Sequence, residues 1–147
     1  MTKTKLSILL LSICTIFFLF GNSHAGSAKE EYELQKRCWM YAEEYFKQAY
    51  GKKFWADDQT FFSAHYTNHY NKKLNKCFVL ITTTKTPKKT NSAPLIVETL
   101  WDINEMKKYG EIKRLMATVQ TSKCEVLGNY CNHLSDWKSL VRPYMEE

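Results

Sequence analysis

The chain has 147 residues, a formal net charge of +6, 44% hydrophobic residues and five cysteines. That length excludes a large multidomain machine and fits one domain of ordinary size. The apolar fraction excludes global disorder.

The first 25 residues have the three parts of an export signal. Lys3 and Lys5 form a basic start, residues 6–20 are apolar and uncharged, and Gly21 and Asn22 interrupt the run. Ser23 and Ala25 then place small residues three and one positions before a cut ahead of Gly26. The apolar run is shorter than the roughly 20 residues that span a bilayer, so cleavage rather than anchorage is expected. Residues 26–147 are then expected to form a single α+β domain with no transmembrane segment. Losing Lys3 and Lys5 leaves 19 Lys and Arg against 15 Asp and Glu, a net charge of +4. So modest a charge gives little support to a nucleic-acid partner.

Helical spacing dominates residues 28–50. Leu34, Cys38, Tyr41, Ala42, Tyr45, Phe46 and Ala49 form one apolar stripe, and Ser27 with Glu30 has the spacing of a capping box. Gly51 follows as a helix stop. Residues 59–84 read as a hairpin whose strands flank a turn-rich stretch, 68–75. Leu95, Val97, Thr99, Trp101 and Ile103 alternate with Glu98 and Asp102 as a third strand. Residues 104–110 read as a turn closed by Gly110, and 112–119 as a fourth strand, with a helix over 104–117 as the rival. Ser135 is placed to cap a short final helix over Trp137, Leu140 and Val141, which Pro143 stops. The expected architecture is an N-terminal helix packed on a four-stranded antiparallel sheet, with helices over one face.

Four cysteines survive cleavage, and an even count in an exported chain points to two disulfides. Three pairings are open; the favoured one joins Cys124 to Cys131 across the turn formers Gly128 and Asn129, and with it Cys38 to Cys77, tying the first helix to the sheet. No Cys-x-x-Cys pair is present, so neither a zinc ribbon nor a redox motif is indicated.

Chemistry-bearing motifs are sparse. His65 and His69 lie four apart, but on a strand that spacing is about 13 Å, too far to share an ion. His133 with Asp136 has the makings of a base and its orienter, without a nucleophile motif beside it. Asp57 and Asp58 follow Phe54 and Trp55, a pairing that suits a sugar, a cation or simply a turn. No catalytic set, metal site or cofactor is implied. The stretch around His65, Tyr66, His69 and Tyr70, with Lys72 and Lys73, mixes aromatic and hydrogen-bonding groups and is the candidate binding surface. Lysines fall in the connections between strands, where they serve solubility or converge on an anionic partner.

The expectation is therefore a small periplasmic or secreted, disulfide-bonded monomer. Its expected role is a non-enzymatic binding or inhibitory module for an anionic macromolecule or an envelope protein. A small hydrolase of an envelope polymer, using His65, His133 or Asp57 and Asp58, is the alternative.

Overall fold

The computed structural model describes residues 24–89, 92–118 and 121–146; residues 1–23, most of the expected export signal, lie outside them. Val119, the last residue of the expected fourth strand, and Gln120 after it are also outside. The chain divides into two compact units, Met1–Glu33 and Leu34–Glu147. Of the first, the opening turns of a helix are described, and residues 28–33 there are exposed. The sheet, both cores and both disulfides belong to the second.

Helix α1 spans His24–Tyr50 and is followed by seven strands and a second helix. The strands are β1 Phe54–Ala56, β2 Thr60–Asn71, β3 Lys76–Pro87, β4 Leu95–Asp102, β5 Lys107–Leu115, β6 Lys123–Val126 and β7 Asn129–Tyr130; helix α2 is Leu134–Met145. All seven strands form one antiparallel sheet in chain order. The expected α+β class and both disulfides are present, but the sheet has seven strands rather than four. The added strands β1, β6 and β7 are two to four residues long, too short to display a period of two.

The turn between β2 and β3 is tighter than 68–75. It closes over Lys72–Asn75, with Asn75 in the left-handed region at φ 52°. His69 and Tyr70 thus lie in β2. The rival helix over 104–117 does not form, since β5 occupies most of it.

The helices lie on opposite faces, not on one. Along β3, Cys77, Val79 and Ile81 join a core with Cys38, Ala42 and Phe46 of α1. Phe78 and Leu80, which alternate with them, join a second core with Trp137 and Val141 of α2. Cys38, Ala42 and Phe46 recur every four residues, one stripe of the helix. Phe46 packs on Tyr66 at 4.8 Å between ring centroids, and Tyr45 meets Trp101 at 5.9 Å. On the other face Phe78, Tyr109 and Tyr144 meet edge to face at 5.1–5.5 Å.

Gly110 is not a turn residue. It lies inside β5 beside a register shift that leaves Tyr109 as an extra residue against β4. A Cβ there would meet the Glu125 carbonyl oxygen at 2.7 Å and Val126 Cγ2 at 2.8 Å, with Trp137 at 3.1 Å. The glycine therefore lets β6 and the α2 tryptophan close onto β5. Pro143 does not stop α2, which continues to Met145. Asn71, fully buried at the end of β2, instead holds this end. Its amide donates to the Pro143 carbonyl at 2.8 Å, and its Oδ1 accepts from the Leu74 N–H at 2.9 Å.

The disulfides close loops of different length, Cys38 to Cys77 across 39 residues and Cys124 to Cys131 across 7. Replacing the first pair by serine is expected to cost about 4 kcal/mol and the second about 2.5 kcal/mol in urea denaturation. Gly110→Ala is expected to lose about 1–3 kcal/mol in the same assay, because a backbone oxygen blocks the new methyl group.

Candidate functional site

Period two distributes the expected binding residues between the faces. Tyr66 and Tyr70 pack against the α1 core, and burial pushes the Tyr66 phenol up. The Tyr70 N–H donates to Gln35 of α1 at 3.0 Å, and its hydroxyl donates to Asn75 at 2.7 Å. His65 and His69 share the α2 face of β2, with His65 exposed and His69 half-buried. Lys72 and Lys73 are exposed in the turn at the end of β2. The six residues are neighbours in sequence but do not share one surface.

The lysines likewise divide between the ends of the sheet. The β2–β3 and β4–β5 turns, with Lys72, Lys73 and Lys107, lie at one end, while Lys88 and Lys89 follow β3 at the other. In a meander, alternate turns fall at opposite ends.

Acid and base candidates occupy separate elements. Asp57 Oδ1 accepts the N–H groups of Gln59 and Thr60 at 2.9 and 2.7 Å, closing the β1–β2 turn. His133 is the N-cap of α2, and Asp136 accepts its backbone N–H at 3.2 Å, so the pair caps a helix. His65 lies five residues beyond Thr60 within β2, about 17 Å along the strand. Among the described residues no three His, Cys, Asp or Glu side chains group as metal ligands.

Two ionic clusters set charges into the sheet. Lys76 reaches Asp102, which is fully buried, and Glu105 at 2.6 Å. Hydrogen bonds to Asp102 and then Glu105 raise the Lys76 ammonium above its usual range. Asp102 Oδ1 also accepts the Asn104 N–H at 3.0 Å, while Asn104 accepts the Cys77 N–H at 2.8 Å. This network ties the β4–β5 turn to the start of β3. On the α1 face beyond the helix, Glu111 is ringed by Lys108, Lys113 and Lys123 at 3.1–3.2 Å. Burial pushes the Glu111 carboxyl up, but hydrogen bonds from Lys123, Lys108 and Lys113 more than offset it and hold it at about 2.

The surface that stands out is one the expected site did not include. At the β1 edge, Phe54, Trp55, Ala56, Phe61, Phe62, Ser63 and Thr86 line a shallow concavity of about 360 Å³. Phe54 is 74% exposed and Phe61 56%. Trp55 lies parallel to Phe62 at 5.3 Å and touches Tyr50, so it is braced from the α1 side. Lys88 Nζ stands 4.8 Å from the Phe61 ring centre, and Lys85 Nζ 5.8 Å from that of Phe62. The sequence signal was Phe54-Trp55 before Asp57-Asp58. The rings supply the surface, and Asp57 supplies the turn that presents them.

A second concavity of about 450 Å³ lies between α1 and the β4–β5 turn, lined by Tyr41, Glu44, Tyr45, Gln48, Ile103, Asn104 and Met106. No helix among the described residues is long and apolar enough to cross a membrane. No family model matches the chain, and no curated protein or solved structure matches it.

The Glu111 carboxyl is depressed on folding, so its stabilising contribution is complete above the unfolded value near 4.5 and is lost as pH falls toward 2. Glu111→Gln is expected to lower stability at pH 7 and to flatten the fall in urea midpoint between pH 4.5 and 2. A parallel fall in both proteins counts against the lysine ring as the cause.

Proposed function

We propose that the protein is an exported, non-enzymatic binding module that holds an envelope or extracellular macromolecule on the aromatic edge formed by β1 and β2. The observation that carries this reading is the exposure of Phe54 and Phe61, the latter beside Lys88, on one face of the sheet edge, with Lys85 over Phe62 on the other. Large rings held in water cost hydration free energy, and a contiguous exposed aromatic patch marks an interaction surface more often than a folding need. Rigid aromatic side chains also lose little entropy when a partner covers them. The two disulfides fit an oxidising compartment, periplasmic or secreted. The lysines at the rim favour an anionic partner.

The hydrolase alternative draws on His65, His133 and Asp57, and their placement on separate elements gives it no paired acid and base. The binding reading draws its support from surface alone and needs no such pair.

Phe54→Ala with Phe61→Ala tests it. Both rings are exposed, so the unfolding free energy of the double variant is expected to stay within about 0.5 kcal/mol of the parent's. Retention of envelope components from extracts is expected to drop at least fivefold. Undiminished retention by the double variant places the contact elsewhere.

A further inference from the structure

One register row crosses five strands on the α2 face, beyond the reach of the second core. Phe54 pairs with Ser63, Ser63 with Thr84, Thr84 with Ile96, and Ile96 with Arg114. Four strand spacings make the row about 19 Å long. On one side it is flanked by Phe61 and Thr86, and on the other by His65, Thr82 and Glu98. An aromatic end thus faces a guanidinium end across Ser63 and Thr84, with the buried Ile96 beside the guanidinium. Apart from Ile96, these side chains are exposed or half-buried.

The two ends differ in how their polar groups are satisfied. Glu98 accepts the Trp137 indole N–H at 2.8 Å, which fixes its carboxylate toward α2. Arg114 is half-buried and has no ion pair among the described residues; its Nε is enclosed, so only its terminal nitrogens can meet a ligand. A guanidinium with no carboxylate partner of its own favours an oxyanion, which its two terminal nitrogens can pair across their planar fork.

We infer that this row binds an anionic oligosaccharide laid across the strands, with Phe54 and Phe61 beneath one sugar and Arg114 pairing a sugar carboxylate at the far end. A pyranose suits the row because it presents an apolar C–H face to a ring and hydroxyl groups around its rim. Ser63, Thr82, Thr84 and Thr86 each offer a donor and acceptors to that rim. The inference rests on the binding-module reading and specifies its ligand.

Protein recovered after export of the full chain can be titrated with hexagalacturonate and with its methyl ester, which has the same sugars without the charges. The acid is expected to bind about tenfold more tightly than the ester. Arg114→Gln is expected to bring the two affinities together, and Arg114→Lys to keep part of the preference. Because Arg114 is half-buried, Phe54→Ala provides a second variant at an exposed site. It is expected to weaken acid and ester alike, several-fold, without changing the thermal midpoint. Equal binding of acid and ester by the parent, or binding of neither, overturns the inference. If envelope components are still retained through Phe54 and Phe61 while both sugars are ignored, the oligosaccharide is excluded and the binding module stands. Retention that Ala56→Pro destroys and Arg114→Gln leaves intact identifies a peptide strand added to the β1 edge, and also overturns the inference.

Discussion

The side-chain alternation of β3, pinned by its disulfide, is the constraint on which the rest of the molecule depends. Cys77, Val79 and Ile81 face α1, while Phe78 and Leu80 face α2. A slip of one residue would exchange the two sets and place the helix contacts on the wrong faces. It would also turn Cys77 away from Cys38, so the covalent bond and the hydrophobic pattern select the same register. The strand buried on both faces reads as a continuous apolar run, CFVLI, while its half-buried neighbours alternate.

Polar groups reinforce the end of the sheet where β3 begins. Lys76, Asp102, Asn104 and Asn71 join the β2–β3 turn, the β4–β5 turn and the C-terminal turn of α2 through buried or half-buried hydrogen bonds. Removing one partner of such a set costs more than the bond is worth, because it strands the other. At the opposite end β1 and β2 expose Phe54 and Phe61. A hydrogen-bonded polar network at one end and exposed aromatic surface at the other is an arrangement suited to binding, in which the scaffold holds a surface without occupying it.

Much of the scaffold was legible in the residues. The period of α1, the apolar run of β3, the alternation of β4 and the even cysteine count each carry a local signal that tertiary contacts need only preserve. Gly110 was misread because a glycine signals backbone freedom or close approach equally well, and here the Glu125 carbonyl and Trp137 require the second. Pro143 was misread as a stop, although α2 tolerates it near its C-terminal end, where Asn71 takes up the Pro143 carbonyl. The candidate site was harder. Tyr66 and Tyr70 look like recognition residues in a composition, yet their parity in β2 turns them into the α1 core.

The amino-acid sequence by itself determined the α+β class, an even set of four cysteines after the expected cleavage and the principal helix and strands, because periodicity and composition can be read without long-range contacts; the structure decided which of the three possible cysteine pairings forms. Tertiary structure alone decided that the helices take opposite faces, that Phe54 and Phe61 remain in water, and that Phe54 and Arg114 end one row. Those facts depend on register across five strands, and register is set by pairing between residues as much as 27 positions apart, from Thr60 with Pro87 inward.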